Sequence, residues 1–170
     1  MFNAVHVIAE LERNRTVFQG LLQDLEPELY NWKPDDKSWS ILQIVCHLYD
    51  IEREDFRERV QSVLEDPQKP FRSIEPQDWI EGRKYAEQDY NAAVKSFLDE
   101  RDQSIVWLHS LDNPGWDNTY QHQIRGAMSA ALFISNWLGH DQLHIRQINR
   151  LKRQYLAAQT GLDLTYAGNW

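Results

Sequence analysis

Apolar residues recur at spacings of three and four along four long segments of the 170-residue chain, the period of a helix with one buried face. The first segment covers residues 3–25, with Ala4, Ile8, Leu11, Phe18, Leu22 and Leu25 in register. The second opens at Ser38 or Ser40, either of which can cap the exposed amides of a first turn. It continues to Glu65 with Ile41, Ile44, Val45, Leu48, Phe56 and Val63 on its apolar side. The third covers residues 85–111, where Tyr90, Ala93, Val94, Phe97, Ser104, Ile105 and Leu108 align. The fourth begins near Ser129 and extends to Tyr155, carrying Phe133, Trp137, Ile148, Leu151 and Tyr155. Between them lie the proline- and glycine-bearing stretches EPELYNWKPDDKS, EDPQKPFRSIEPQDW and LDNPGWDNTYQHQIRG. No run alternates with period two for long enough to predict a sheet. The pattern predicts an all-α four-helix bundle, since each stripe must be buried against the others. Residues 66–84 form a long crossover between the second and third helices, and with no internal repeat the chain reads as one domain, 1–170.

Charge narrows the partners. Acidic residues number 26 against 18 basic ones, a net charge of −8 with no long basic run, which argues against a nucleic-acid or anionic-membrane surface. Glu10 and Glu12 precede any apolar run of signal-peptide length, and no segment approaches the roughly 18 apolar residues of a membrane span. A cytoplasmic protein is expected. Cys46 is the one cysteine, so no intramolecular disulfide and no Cys-rich metal site can form. A metal would need His, Asp or Glu.

The fourth segment contains WLGHDQLHIRQINR. At the helical rotation per residue, His140 and His144 fall within about 40° of each other, among Phe133, Trp137, Ile148 and Leu151. Both therefore point at the core. One such histidine is ordinarily a core residue bonded to a backbone carbonyl, but two stacked a turn apart are harder to satisfy, at about 1–3 kcal/mol per unpaired group. A divalent metal accepting both lone pairs removes that cost. Tetrahedral catalytic sites take three protein ligands, so a third must come from another helix. His47, between Ile44 and Ile51 at the edge of the second stripe, is better placed than His6, His109 or the loop residue His122. The sequence His-Asp-Gln-Leu-His departs from the zinc-peptidase His-Glu-x-x-His by its shorter aspartate, and the absence of any Glu-x-x-His excludes a di-iron carboxylate bundle.

The run LEPELYNWKPDDKSWSILQIVCHLYDIEREDFRERV, together with QHQIRGAMSAALFISNWLGHDQLHIRQI, resembles the DinB-like superfamily of damage-inducible and YfiT-like proteins. The likeness lies in Trp-x-Pro at Trp32 to Pro34, Trp39 with Ser40, His-Leu-x-Asp from His47 to Asp50, and His-Asp-x-x-His-x-x-Gln-Ile from His140 to Ile148. It implies a four-helix bundle holding one divalent metal, commonly zinc or nickel, on three histidines that match His47, His140 and His144 here. Similar proteins include transferases and isomerases that use mycothiol or bacillithiol, and family members often form homodimers.

A three-histidine tripod with an open position can lower the pKa of a bound water to about 7, or bind and deprotonate a thiol. The expected function is a metal-dependent enzyme acting on a small molecule. It would be a thiol-linked S-transferase or isomerase using a low-molecular-weight thiol, or a hydrolase. The alternative is a non-catalytic, metal-stabilised dimeric bundle with a stress-related binding role. Arg15, in the first stripe, and Arg101, in the third, are candidates to hold an anionic substrate or a thiol cofactor's carboxylate. Pairing with inward-facing Glu52 and Asp55 is the favoured competing reading. Cys46, about 100° around the helix from His47, is expected to pack.

Overall fold

Asn3 opens the first helix by accepting from the His6 amide at 3.1 Å, and α1 then runs over Ala4–Leu22. A short α2 (Pro27–Tyr30) leads to Ser40, which, of the two candidate caps, forms a reciprocal capping box with Gln43. From there α3 (Ile41–Ile51) passes without a break into a π-helical turn (Glu52–Phe56) and then α4 (Arg57–Glu65). The crossover carries α5 (Pro76–Gly82), and α6 spans Tyr90–Ser110. Strands β1 (Thr119–His122) and β2 (Gly126–Ser129) precede α7 (Ala130–Thr160). These elements belong to a computed structural model that describes residues 2–168; Met1, Asn169 and Trp170 of the expected domain lie outside the described residues.

The bundle closes as the stripes require: α1 packs against α6 and α7, α3 against α6, and α4 against α7. Two apolar clusters result. One gathers Phe18, Leu22, Ile41, Phe97, Ile148 and Leu151, and the other Val7, Leu11, Val60, Ile105, Phe133 and Trp137. Asn14, Glu52, Arg101 and Asp141 are also buried, and so carry polar chemistry into the interior.

Four features differ from the sequence-based expectation. The third helix starts at Tyr90 rather than 85, because Asp89 caps it through the Ala92 amide at 2.7 Å and residues Tyr85–Glu87 form a separate 3-10 turn. The fourth continues past Tyr155 to Thr160, where Gly161 at φ 65° closes it in the left-handed conformation. Residues 119–129 form an antiparallel hairpin whose four-residue strands are too short to show alternation. The π-helical turn adds a residue to one turn and rotates the helix beyond it, so Glu52 is buried while Asp55 faces a surface cavity. Among the described residues, no helix is long and apolar enough to cross a membrane.

Candidate metal centre

Ser40 fixes where α3 begins, and two turns on it delivers His47 to the face that meets α7, where His140 and His144 lie one turn apart. His140 Nε2 lies 3.3 Å from His47 Nε2 and 3.1 Å from His144 Nε2. A ligand atom from each of the three residues fits within a mutual separation of 4.8 Å. The Trp39 ring meets His47 and the Phe56 ring meets His140, each with centroids 5.0 Å apart. The sequence assigns this trio, and the fold brings it together.

Burial dominates the electrostatics. It pulls the His47 pKa down to about 3, helped by His144, and that of His140 to about 2, helped by His144, His47 and Arg101. His144 is also lowered by burial, against the opposing effects of its Gln147 hydrogen bond and of Asp141. At neutral pH the cluster is three uncharged imidazoles. His144 Nδ1 donates to Gln147 Oε1 at 2.8 Å, an amide oxygen that can only accept, so the His144 Nε2 lone pair faces the other two rings. Only one proton can lie in each short Nε2 contact. Because His140 Nε2 is common to both, neutral rings cannot satisfy the two contacts together.

A single cation satisfies all three. Two metal–nitrogen bonds of tetrahedral zinc, about 2.0–2.1 Å each, span about 3.3 Å between nitrogens, close to the separations found. With its Nε2 turned to the cluster, His47 leaves Nδ1 buried and without an acceptor among the described residues. A metal held at Nε2 would fix His47 as the Nδ1-protonated tautomer. The donor set therefore fits a divalent ion.

Arg15 and Arg101, the candidates to hold an anion, are both paired with carboxylates, as the favoured competing reading has it. Arg101, 1% exposed, gives Nε and Nη2 to Glu52, Nη1 and Nη2 to Asp141, and Nη1 to the Leu11 carbonyl, so all five donors are satisfied. Asp55 is not a partner; it pairs with Arg59. Arg15 is turned to the surface, where it forms a two-pronged pair with Asp102 at 2.9 Å, while its neighbour Asn14 takes the inward position and donates to Asp141. Asp141, although it stands between His140 and His144 in sequence, is committed to this buried pairing. Cys46 packs as expected, its thiol pushed up to about 12 by burial. His122 ends β1, where Nδ1 accepts from the Ile124 and Arg125 amides, and it does not line the histidine cavity.

That cavity, about 780 Å³ and open to solvent, has the three histidines in its wall along with Trp39, Phe56 and Gln147. Gln147 received no role from the sequence. The available signal was its spacing of three from His144, which puts an amide within reach of the outer ring nitrogen. A profile of the DinB superfamily matches residues 10–148. The chain belongs to the DinB superfamily. Among solved structures, this DinB-superfamily chain is similar to YfiT from Bacillus subtilis, with a TM-score of 0.78 and 16% identity over 89% of this chain and 87% of that one. The likeness establishes the four-helix-bundle fold for this DinB protein. No curated protein matches the sequence.

Proposed function

We propose that the protein is a divalent-metal-dependent hydrolase of a small organic substrate. The observation that carries the reading is the convergence of three neutral Nε2 atoms, on His47, His140 and His144, in the wall of an open cavity. Three protein nitrogens leave a four-coordinate ion one position to fill from solvent or substrate. A zinc or nickel ion would supply there a Lewis acid and a water acidified to about pKa 7. Gln147 holds the His144 proton on Nδ1 and so keeps Nε2 available as a ligand. Trp39 packs on the His47 ring and Phe56 on the His140 ring, which restricts both imidazoles beside the cavity. YfiT, described as "a probable metal-dependent hydrolase with an unusual four-helix bundle topology", supports the same reading.

A second reaction would use the same position. A low-molecular-weight thiol bound there would give S-transfer or isomerisation, and Cys46, buried with a raised pKa, offers no competing thiolate. Metal analysis and turnover separate the readings. We expect one zinc or nickel per chain in the wild type and little in His47→Ala, His140→Ala or His144→Ala. Ester or amide hydrolysis should be abolished by chelation and restored by metal. Turnover only with an added thiol would move the protein to the transferase reading. A loaded wild type inert in both assays would leave a binding role, and a wild type that takes up no metal in excess would remove the site.

A further inference from the structure

With Arg15 and Arg101 committed elsewhere, other cations are left facing the cavity. Four residues with charged side chains line its wall: Asp35, Lys37, Asp55 and Arg150. The carboxylates are engaged. Asp55 is neutralised by Arg59, and Asp35 Oδ1 accepts from the Lys37 amide, the Ser38 amide and the Ser38 hydroxyl at 2.8–2.9 Å, closing the turn before α3. The ammonium of Lys37 and the guanidinium of Arg150 make no ion pair or side-chain hydrogen bond among the described residues. Counted with Arg59, which offsets Asp55 from outside the wall, the cations exceed the carboxylates by one charge before any metal is added. This is the reverse of the chain as a whole, whose net charge is −8. The two cations come from different elements, Lys37 from the loop leading to α3 and Arg150 from α7. Six residues separate Arg150 from His144, a rise of about 9 Å along the helix. The cavity volume lies within the range that takes small metabolite-sized ligands.

We propose that the substrate is a small organic anion, its carboxylate or phosphate held by Arg150 and Lys37 while its reactive end reaches the histidine cluster. The chemistry at that end rests on the metal-dependent reading above; the anion contact does not. Arg150 presents a planar fork suited to a carboxylate or phosphate, and Lys37 adds a mobile point charge. In a negatively charged protein, such a local surplus selects among small molecules by charge and orients the one it admits.

The test uses succinate and its neutral analogue succinamide, titrated by calorimetry into the full chain, with zinc and separately in metal-free form. Succinate should bind at least about tenfold more tightly than succinamide in both forms, since one cationic pair contributes on the order of a tenfold preference. The double variant Arg150→Gln with Lys37→Gln should reduce that preference to about threefold or less in both forms. Arg150→Lys should retain part of it. Both side chains are exposed, so melting temperatures should match the wild type and any loss can be assigned to binding. Equal binding of the two compounds by the wild type would overturn the proposal. So would an unchanged succinate preference in the double variant, which in the zinc form alone would mean that the carboxylate binds the metal. If the wild type takes up no metal, the hydrolase reading fails on its own, and the metal-free titration still decides the anion site.

Discussion

His140 and Asp141 are neighbours on α7, yet they belong to two polar regions that meet burial in opposite ways. Asp141 joins Arg101, Glu52, Asn14 and the Trp137 indole in a network where all five arginine donors find acceptors, each at 3.3 Å or less. It is complete within the chain. His140 joins His47 and His144 in a cluster whose short nitrogen contacts neutral rings cannot satisfy together, with a buried His47 Nδ1 that has no acceptor among the described residues. It lacks a cation. The difference teaches how to sort buried polar groups: those that close on themselves hold the fold, and those that converge unsatisfied point to a ligand.

Acid should separate the two regions most strongly. His47 and His140 have folded pKa values near 3 and 2, against an unfolded value of about 6.5. Above that value both states hold neutral imidazoles, and the contribution to stability is fully present. As pH falls, the unfolded chain takes up protons that the folded chain refuses, so stability drops toward the folded values by up to about 1.4 kcal/mol per pH unit for each imidazole. With His47 and His140 together, the loss by pH 3 should approach about 9 kcal/mol, comparable to an ordinary domain stability of about 5–15 kcal/mol. Urea melts of metal-free protein at a series of pH values should show this decline, and excess zinc should move it to lower pH. Stability that stays flat from pH 7 to pH 4 would mean that the imidazoles are not held neutral in the interior.

The closed network should respond next most strongly. Arg101→Met leaves Glu52 and Asp141 buried with no cation between them, a loss of about 3–5 kcal/mol. Arg15→Met removes only a partly exposed pair with Asp102 and should cost less than about 1 kcal/mol. Urea denaturation at neutral pH compares them, and equal losses would erase the distinction between a buried structural arginine and a surface one.

The contrast between these arginines also shows what was legible in the sequence. Leu11 and Phe18 are seven residues apart, and the stripe between them admits either residue 14 or residue 15 as the inward position. Asn14 occupies it, and only the neighbouring helix, with Asp102 at the surface, decides the matter. The four long helices were readable because burial imposes their period on many residues at once. The π-helical turn was not, since EREDF contains no glycine or proline and its extra residue serves tertiary packing. His140 and His144 could be placed on one face from spacing alone; position on the second stripe made His47 the best placed of the remaining histidines, and family resemblance completed the set. The fate of Asp141 depended on an arginine on another helix, 40 residues away in sequence.

A smaller effect than that of Arg101 concerns the one contact that orients the open cluster. Gln147 accepts the His144 Nδ1 proton and is itself only partly buried, so Gln147→Leu should leave the metal-free fold nearly as stable as before. The His144 imidazole would then be free to rotate or to move its proton to Nε2, and either change withdraws a lone pair from the site. Partners of this kind, which hold a ligand's outer nitrogen, typically change metal affinity by 10- to 100-fold, here about 1.4–2.7 kcal/mol. Competition against a chromophoric chelator measures that loss. Gln147→Glu, which keeps an acceptor at the same place, should preserve or tighten binding, and nitrogen NMR of the metal-free protein should report His144 protonated at Nδ1 in the wild type and mixed in Gln147→Leu. Zinc affinity within about twofold of the wild type in Gln147→Leu, with the His144 tautomer unchanged, would show that another group orients the ring.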